Sequence, residues 1–226
     1  MYGNSKPRTI LGPLSVYGVL ALTGVVAPVI FIIANLTVAF LSPGYKFIRD
    51  SISSLALAPL GWIQTIAFML MGLLIEAFVV GLILSLRGGK RFRLGAGILV
   101  FFGFGILLVG ALHTDPAGGP RTVEGMIHGV VAATVFWLFP IASLLIAYDL
   151  RKDLYWKGFF LYTIIASAIA LALLLWRIWL PSELSWFGLY ERILALDELI
   201  WVEIVAVRLL QLSLREVKKA ENSMTL

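Results

Sequence analysis

Six long apolar runs, each bounded by charge, leave this chain few folds to choose from. Bilayer hydrocarbon is about 30 Å thick and takes about 20 helical residues to cross, because a spanning segment must satisfy its own backbone N–H and C=O groups. The runs cover approximately residues 14–41, 60–86, 94–112, 125–148, 158–180 and 193–214. They predict an all-α fold, a polytopic transmembrane bundle of six helices, forming one domain over residues 1–226. The first run is too long for a signal-peptide core and lacks a small-x-small cleavage site, so it is expected to remain as a helix.

Composition supports the same class. The chain is 60% apolar and 14% charged, against about 45–50% and about 25% for soluble domains. It has no cysteine, which excludes thiol catalysis, thiolate metal sites and a disulfide-built secreted module. The formal charge of +5 has a topological explanation, and no nucleic-acid partner is expected.

Lys and Arg collect at alternate ends of the runs, as they do where cytoplasmic loops retain positive charge. One side holds Lys6, Arg8, Arg87, Lys90, Arg91, Arg93, Arg151, Lys152, Lys157, Arg215, Lys218 and Lys219. The other holds Lys46, Arg49, Arg121 and the span-end residues Arg177 and Arg192. Both termini are therefore expected in the cytoplasm, in a multi-pass protein of the cell membrane. Aromatic residues flank the same boundaries: Tyr45, Trp62, Trp179, Trp186 and Tyr190 outside, Tyr148, Tyr155 and Trp156 inside. The polar tail after Leu214 reads as a short frayed helix end.

A charge at mid-span costs about 2.5–3.5 kcal/mol on insertion scales, so an intramembrane acid marks a functional candidate. Glu76 in the second span and Glu203 in the sixth qualify. On the sixth helix Arg192 and Glu203 share one face, and Asp197 and Arg208 another, each pair about three turns apart. Both faces must look into the bundle or into water.

Residues 112–129, LHTDPAGGPRTVEGMIHG, hold the densest chemistry. Asp115 before Pro116 is pushed out of helical geometry and ends the third span. Thr122 is placed to cap the fourth helix, and Gly125 with Gly129 makes a GxxxG pair open to close backbone approach. His113 and His128, beside Asp115 and Glu124, suit either of two roles. They are candidate metal ligands or acid–base groups, or they tie the loop to the bundle by hydrogen bonds. A second polar cluster, Arg49, Asp50, Ser51, Ser53 and Ser54, precedes the second span, where Asp50 or Ser51 is placed to cap it.

The segments YKFIRDSISSLALA (45–58) leading to Gly-Trp, HTDPAGGPRTVEGMIHGVVAA (113–133) and GLYERI (188–193) together resemble the bacterial and archaeal membrane family called domain of unknown function 998. That resemblance, over most of residues 14–213, implies six helices with an acidic-serine motif, an Asp-Pro loop and a histidine opening the fourth helix. It points at Ser53, Asp115, Pro116, His128 and Arg192. More distantly, the order of serine loop, polar turn and fourth-helix histidine is similar to the eukaryotic DRAM and Sfk-type membrane proteins, some connected with lipid handling. Their aspartate-glycine after the serine is here Ser54-Leu55.

Asp50, Ser53, His113, Asp115, Arg121, His128 and Arg192 are expected to converge on an outer-facing pocket. Three functions follow from such a pocket: binding or moving a lipid-like or hydrophobic molecule; intramembrane hydrolase or transferase chemistry using Ser53, Asp115 and His128, with His113 and His128 as metal candidates; or an accessory role in a membrane complex or homo-oligomer. Membrane lipids are the expected partners, and no cofactor is specified by any motif.

Overall fold

A computed structural model describes residues 10–11, 14–86, 88–181 and 185–224. Lys6, Arg8 and Arg87, counted above for orientation, lie outside the described residues. Six helices follow one another: α1 (Val16–Leu41), α2 (Gly61–Ser85), α3 (Lys90–Ala111), α4 (Val123–Leu150), α5 (Phe159–Trp179) and α6 (Phe187–Met224). The first five have 21 to 28 residues, or about 32–42 Å at the helical rise, enough to cross a bilayer. All five are apolar enough to span by composition. Their outward faces carry large apolar side chains such as Ile33, Phe40, Phe101, Val130 and Leu161, a surface that needs lipid rather than water.

Helix α6 differs from the expected 193–214 segment. It starts earlier and continues to Met224, 38 residues in all, so the polar tail prolongs the helix instead of fraying. It is also too charged to qualify as a span by composition. Its packing nonetheless carries it alongside α1 for the full depth of the bundle. Gly188 lies against Asp50 and Phe47 just beyond the end of α1, Ala206 against Gly24 within it, and Ser213 bonds Ser15 at its start. Ser15 also caps α1 by accepting from the Gly18 N–H at 3.3 Å.

Each helix packs on the next, and α6 closes the ring on α1. Small residues set the spacing. A Cβ on Gly72 of α2 would sit 2.6 Å from the Gly103 carbonyl of α3, so this pair of helices meets backbone to backbone. Glu76 packs over Gly103 in the same seam, half-buried. Hydroxyls bridge α5 to both neighbours: Trp201 of α6 donates to Thr163 Oγ1 at 3.1 Å, and Ser167 of α5 joins Ser143 of α4 at 2.7 Å. Such bonds contribute about 0.6 kcal/mol each on average inside membranes, enough to fix rotation of one helix against another. Trp62 and Trp179 are exposed at the bundle end carrying loops 42–60 and 112–122, whereas Tyr190 and Trp156, also expected at the boundaries, are buried in the core.

Candidate functional site

The loop from Ser42 to Leu60 folds back over the bundle. Tyr45 donates its hydroxyl to the carbonyl of Ser51 at 2.9 Å, and Lys46 N–H donates to Asp50 Oδ2 at 2.7 Å. Arg49 Nε reaches Asp50 Oδ1 at 2.7 Å. Burial pushes the Asp50 carboxyl up, but the Arg49 bond, the Lys46 N–H and both positive charges outweigh it and hold it below its ordinary value. Asp50 thus closes its own turn. Ser51 precedes the short 3-10 segment Ser53–Leu57 and accepts from Ser54 N–H at 3.2 Å, and α2 begins at Gly61 without a side-chain cap. Neither residue caps the second span as expected.

Arg192 anchors this loop to α6. Its Nη1 donates to the carbonyls of Phe47 at 2.9 Å, Asp50 at 3.0 Å and Gly188 at 2.9 Å, and its Nη2 to the Tyr45 hydroxyl. Its guanidinium lies 3.9 Å from the Phe47 ring centroid, a cation–π contact in a desolvated setting. Backbone closes the same seam: Gly188 N–H donates to Arg49 O at 3.1 Å and Leu189 N–H to Ile48 O at 2.9 Å. A Cβ on Gly188 would collide with the Asp50 carbonyl, so this approach requires glycine. Burial raises the Tyr45 phenol above its ordinary value despite the neighbouring Arg192.

The second expected cluster forms a separate knot. Asp115 accepts from Thr122 N–H at 3.0 Å and from Thr122 Oγ1 at 2.7 Å, and Thr122 Oγ1 accepts from Gly125 N–H at 3.0 Å, capping α4. The Thr122 donors hold the Asp115 carboxyl below its ordinary value. His113 pairs with Glu124 at 3.0 Å through Nδ1, and its N–H donates to the same carboxylate at 2.6 Å. His128 is 4% exposed. Its Nδ1 lies 2.8 Å from the Leu112 carbonyl, which can only accept, so Nδ1 carries the proton. Its Nε2 is buried without a partner. Arg121 is exposed. A Cβ on Gly125 would collide with the Asp115 carboxylate, while Gly129 faces open space. The GxxxG pair is therefore split, one glycine serving the loop and the other facing outward.

Ser53, His128 and Asp115 form no hydrogen-bonded relay, since each is engaged elsewhere. Among the described residues, no group of three or more His, Asp or Glu side chains is arranged to hold a metal. His113 and His128 instead brace the same loop from different partners.

Beneath the 3-10 segment lies a cavity of about 60 Å³. Its walls are largely apolar, four phenylalanines (Phe31, Phe68, Phe102 and Phe136) among aliphatic side chains, and Ile52 and Ser53 form its roof. Of the seven residues expected to share a pocket, Ser53 alone lines it. The polar wall is one that sequence reasoning missed: Glu191 and Glu198 of α6, flanking Ala195. Glu191 Oε2 accepts from the Ile52 N–H at 2.6 Å, fastening the roof. Glu198 is 3% exposed and its Oε1 has no partner. The spacing of seven residues between the two acids, two turns on one helical face with alanine between, was the available signal. Glu203 lies deeper, half-buried, with Oε2 unpartnered.

A ring of helices, five of them long and apolar enough to cross a bilayer, defines a multi-pass membrane protein. The chain belongs to the family described as protein of unknown function (DUF998), whose model matches residues 25–208. No curated protein and no solved structure matches it, so the likeness to DRAM and Sfk-type proteins gains no support there.

Proposed function

We propose that this protein binds a lipid-like or other hydrophobic small molecule in the cavity beneath the 45–58 loop. One observation carries the reading: a nearly fully buried carboxyl, Glu198, lines a largely apolar cavity with one oxygen unsatisfied. Leaving such a group unpaired is costly, and a ligand with a hydroxyl or amine donor at one end and hydrocarbon at the other removes that cost. The apolar body would lie against Phe31, Phe68 and Phe102. The sequence expectation of an outer-facing polar pocket is thereby moved inward, with the polar loops serving as its cover. The Lys/Arg distribution supports placing that cover outside and both termini in the cytoplasm of a cell-membrane protein.

Mass spectrometry of protein extracted in native membrane tests the reading. A bound hydrophobic molecule should accompany the parent and be lost from Ala132→Phe, which fills the cavity. Equal lipid content in the two folded proteins would refute it.

A second reading, hydrolase or transferase chemistry, is favoured by one placement: the Ser53 hydroxyl shares the cavity with Glu191 and Glu198. There Ser53 would act as nucleophile and a carboxylate as base, with Asp115 and His128 holding the neighbouring loop. Ser53→Ala separates the two readings, since it would abolish turnover yet leave binding in place.

A further inference from the structure

At the bundle end opposite the cavity roof, three cations crowd around one aromatic ring. Arg91 of α3 lies 4.0 Å from the Tyr148 ring centroid, Arg151 4.2 Å and Lys152 4.3 Å. No two of these charges can be farther apart than twice the longest of those distances. A ring has only two faces, so its quadrupole cannot separate three like charges fully, and they repel one another.

The carboxylate nearest to them does not neutralise the group. Asp149 accepts from Gly89 N–H at 3.0 Å and Phe92 N–H at 3.2 Å, capping α3, and from Lys152 Nζ at 2.9 Å. Among the described residues, neither Arg91 nor Arg151 has a carboxylate within ion-pair distance. Both are exposed, at the ends of apolar helices. That is the depth at which lipid phosphates lie, and a planar guanidinium pairs with phosphate oxygens bidentately.

We propose that Arg91, Arg151 and Lys152, gathered on Tyr148, form a binding site for a phosphate-bearing anion, either the headgroup of an anionic lipid or a soluble phosphate. The site is independent of the cavity and of any ligand bound there. Arg151 and Arg91 share the non-bridging phosphate oxygens, and the Lys152 ammonium adds a point charge shared with Asp149.

The test titrates full-length protein in neutral detergent with phosphatidylglycerol, phosphatidylcholine, inorganic phosphate and pyrophosphate, following binding by native mass spectrometry. Either phosphatidylglycerol or a soluble phosphate should bind, with phosphatidylcholine at least tenfold weaker, and the better probe identifies the source. The double variant Arg91→Gln/Arg151→Gln should weaken that probe at least tenfold. Lys46→Gln/Arg121→Gln, which removes the same charge at the other end, should change it less than twofold. Each single variant, Arg91→Gln and Arg151→Gln, should show a partial loss, so a double variant that fails to fold leaves the test intact. Equal losses in the control, or no discrimination between phosphatidylglycerol and phosphatidylcholine without soluble phosphate binding, would overturn the assignment.

Discussion

Replacing Arg192 with glutamine should release the cover of the cavity while leaving the helices in place. The side chain is 5% exposed and makes three bonds that cross to the loop: to Phe47 O, Asp50 O and the Tyr45 hydroxyl. Bonds from a charged donor contribute about 1.5–3 kcal/mol each, and the Phe47 stacking adds about 1 kcal/mol. Loop carbonyls partly regain water once freed, so the net loss is smaller than the sum, about 2–4 kcal/mol. That corresponds to a roughly 30- to 1,000-fold rise in loop opening, since each 1.4 kcal/mol is tenfold. The seam has its own reporters, the amides of Gly188 and Leu189, which donate to Arg49 O and Ile48 O. Hydrogen exchange in detergent or nanodiscs should show those amides exchanging faster by that factor, with the middle of α3 unchanged. A change below threefold at Gly188 and Leu189 would refute the claim that Arg192 holds the loop.

Asp50 and Asp115 have folded pKa values held below their ordinary value of 3.8, so their contribution is present above that value and is lost as pH falls through the folded value. Both loops should loosen only below about pH 4, and Asp115→Asn should reduce the pH dependence of exchange in residues 112–125, the remainder coming from Glu124, whose carboxyl the His113 bonds also hold low. His128→Gln should keep the donor to Leu112 O imperfectly and lower stability by about 1–2 kcal/mol with cavity binding intact; a variant that melts like the parent yet loses its ligand would assign His128 to the site itself. Reporters fused after Leu226 and within residues 117–119 should read cytoplasmic and external respectively, and the reverse pattern would overturn the orientation.

Helix count was legible because apolar runs of membrane length have few alternative folds, and nine of the twelve boundaries fall within two residues of those read from the sequence. The third helix begins at Lys90 rather than residue 94, because cations end the lipid-facing stretch without ending the backbone hydrogen bonds. The sixth was shortened at both ends for the same reason: apolarity reports lipid exposure, and α6 turns its polar groups to the bundle. Arg192, Asp50, Asp115 and His128 stood out as polar residues near a boundary. Their partners did not, since Arg192 meets residues some 140 positions earlier. Glu191 and Glu198 were passed over because they sit in a charged stretch, and only packing against Ile52 and the apolar walls distinguishes them from solvated acids.

The charge on α6 links closure of the ring to the cavity. Asp197, Glu198 and Glu203 lie within seven residues, and at about 2.5–3.5 kcal/mol each they make insertion of α6 alone costly by about 8–10 kcal/mol. The other elements engage further charged residues of α6. The 45–50 loop receives Arg192, the Tyr155 carbonyl accepts from Arg208 at 2.6 Å, and Glu191 holds the Ile52 amide. Asp197, Glu198 and Glu203 each keep a buried oxygen without a partner among the described residues, and Glu198 is the one of the three that lines the cavity. A molecule that satisfies it binds only when α6 is seated against α1 and the roof is down, so by linkage it stabilises the closed ring in proportion to its occupancy. On the proposed reading, one of the acids that make α6 the least lipid-like helix would also make its docking responsive to what fills the cavity.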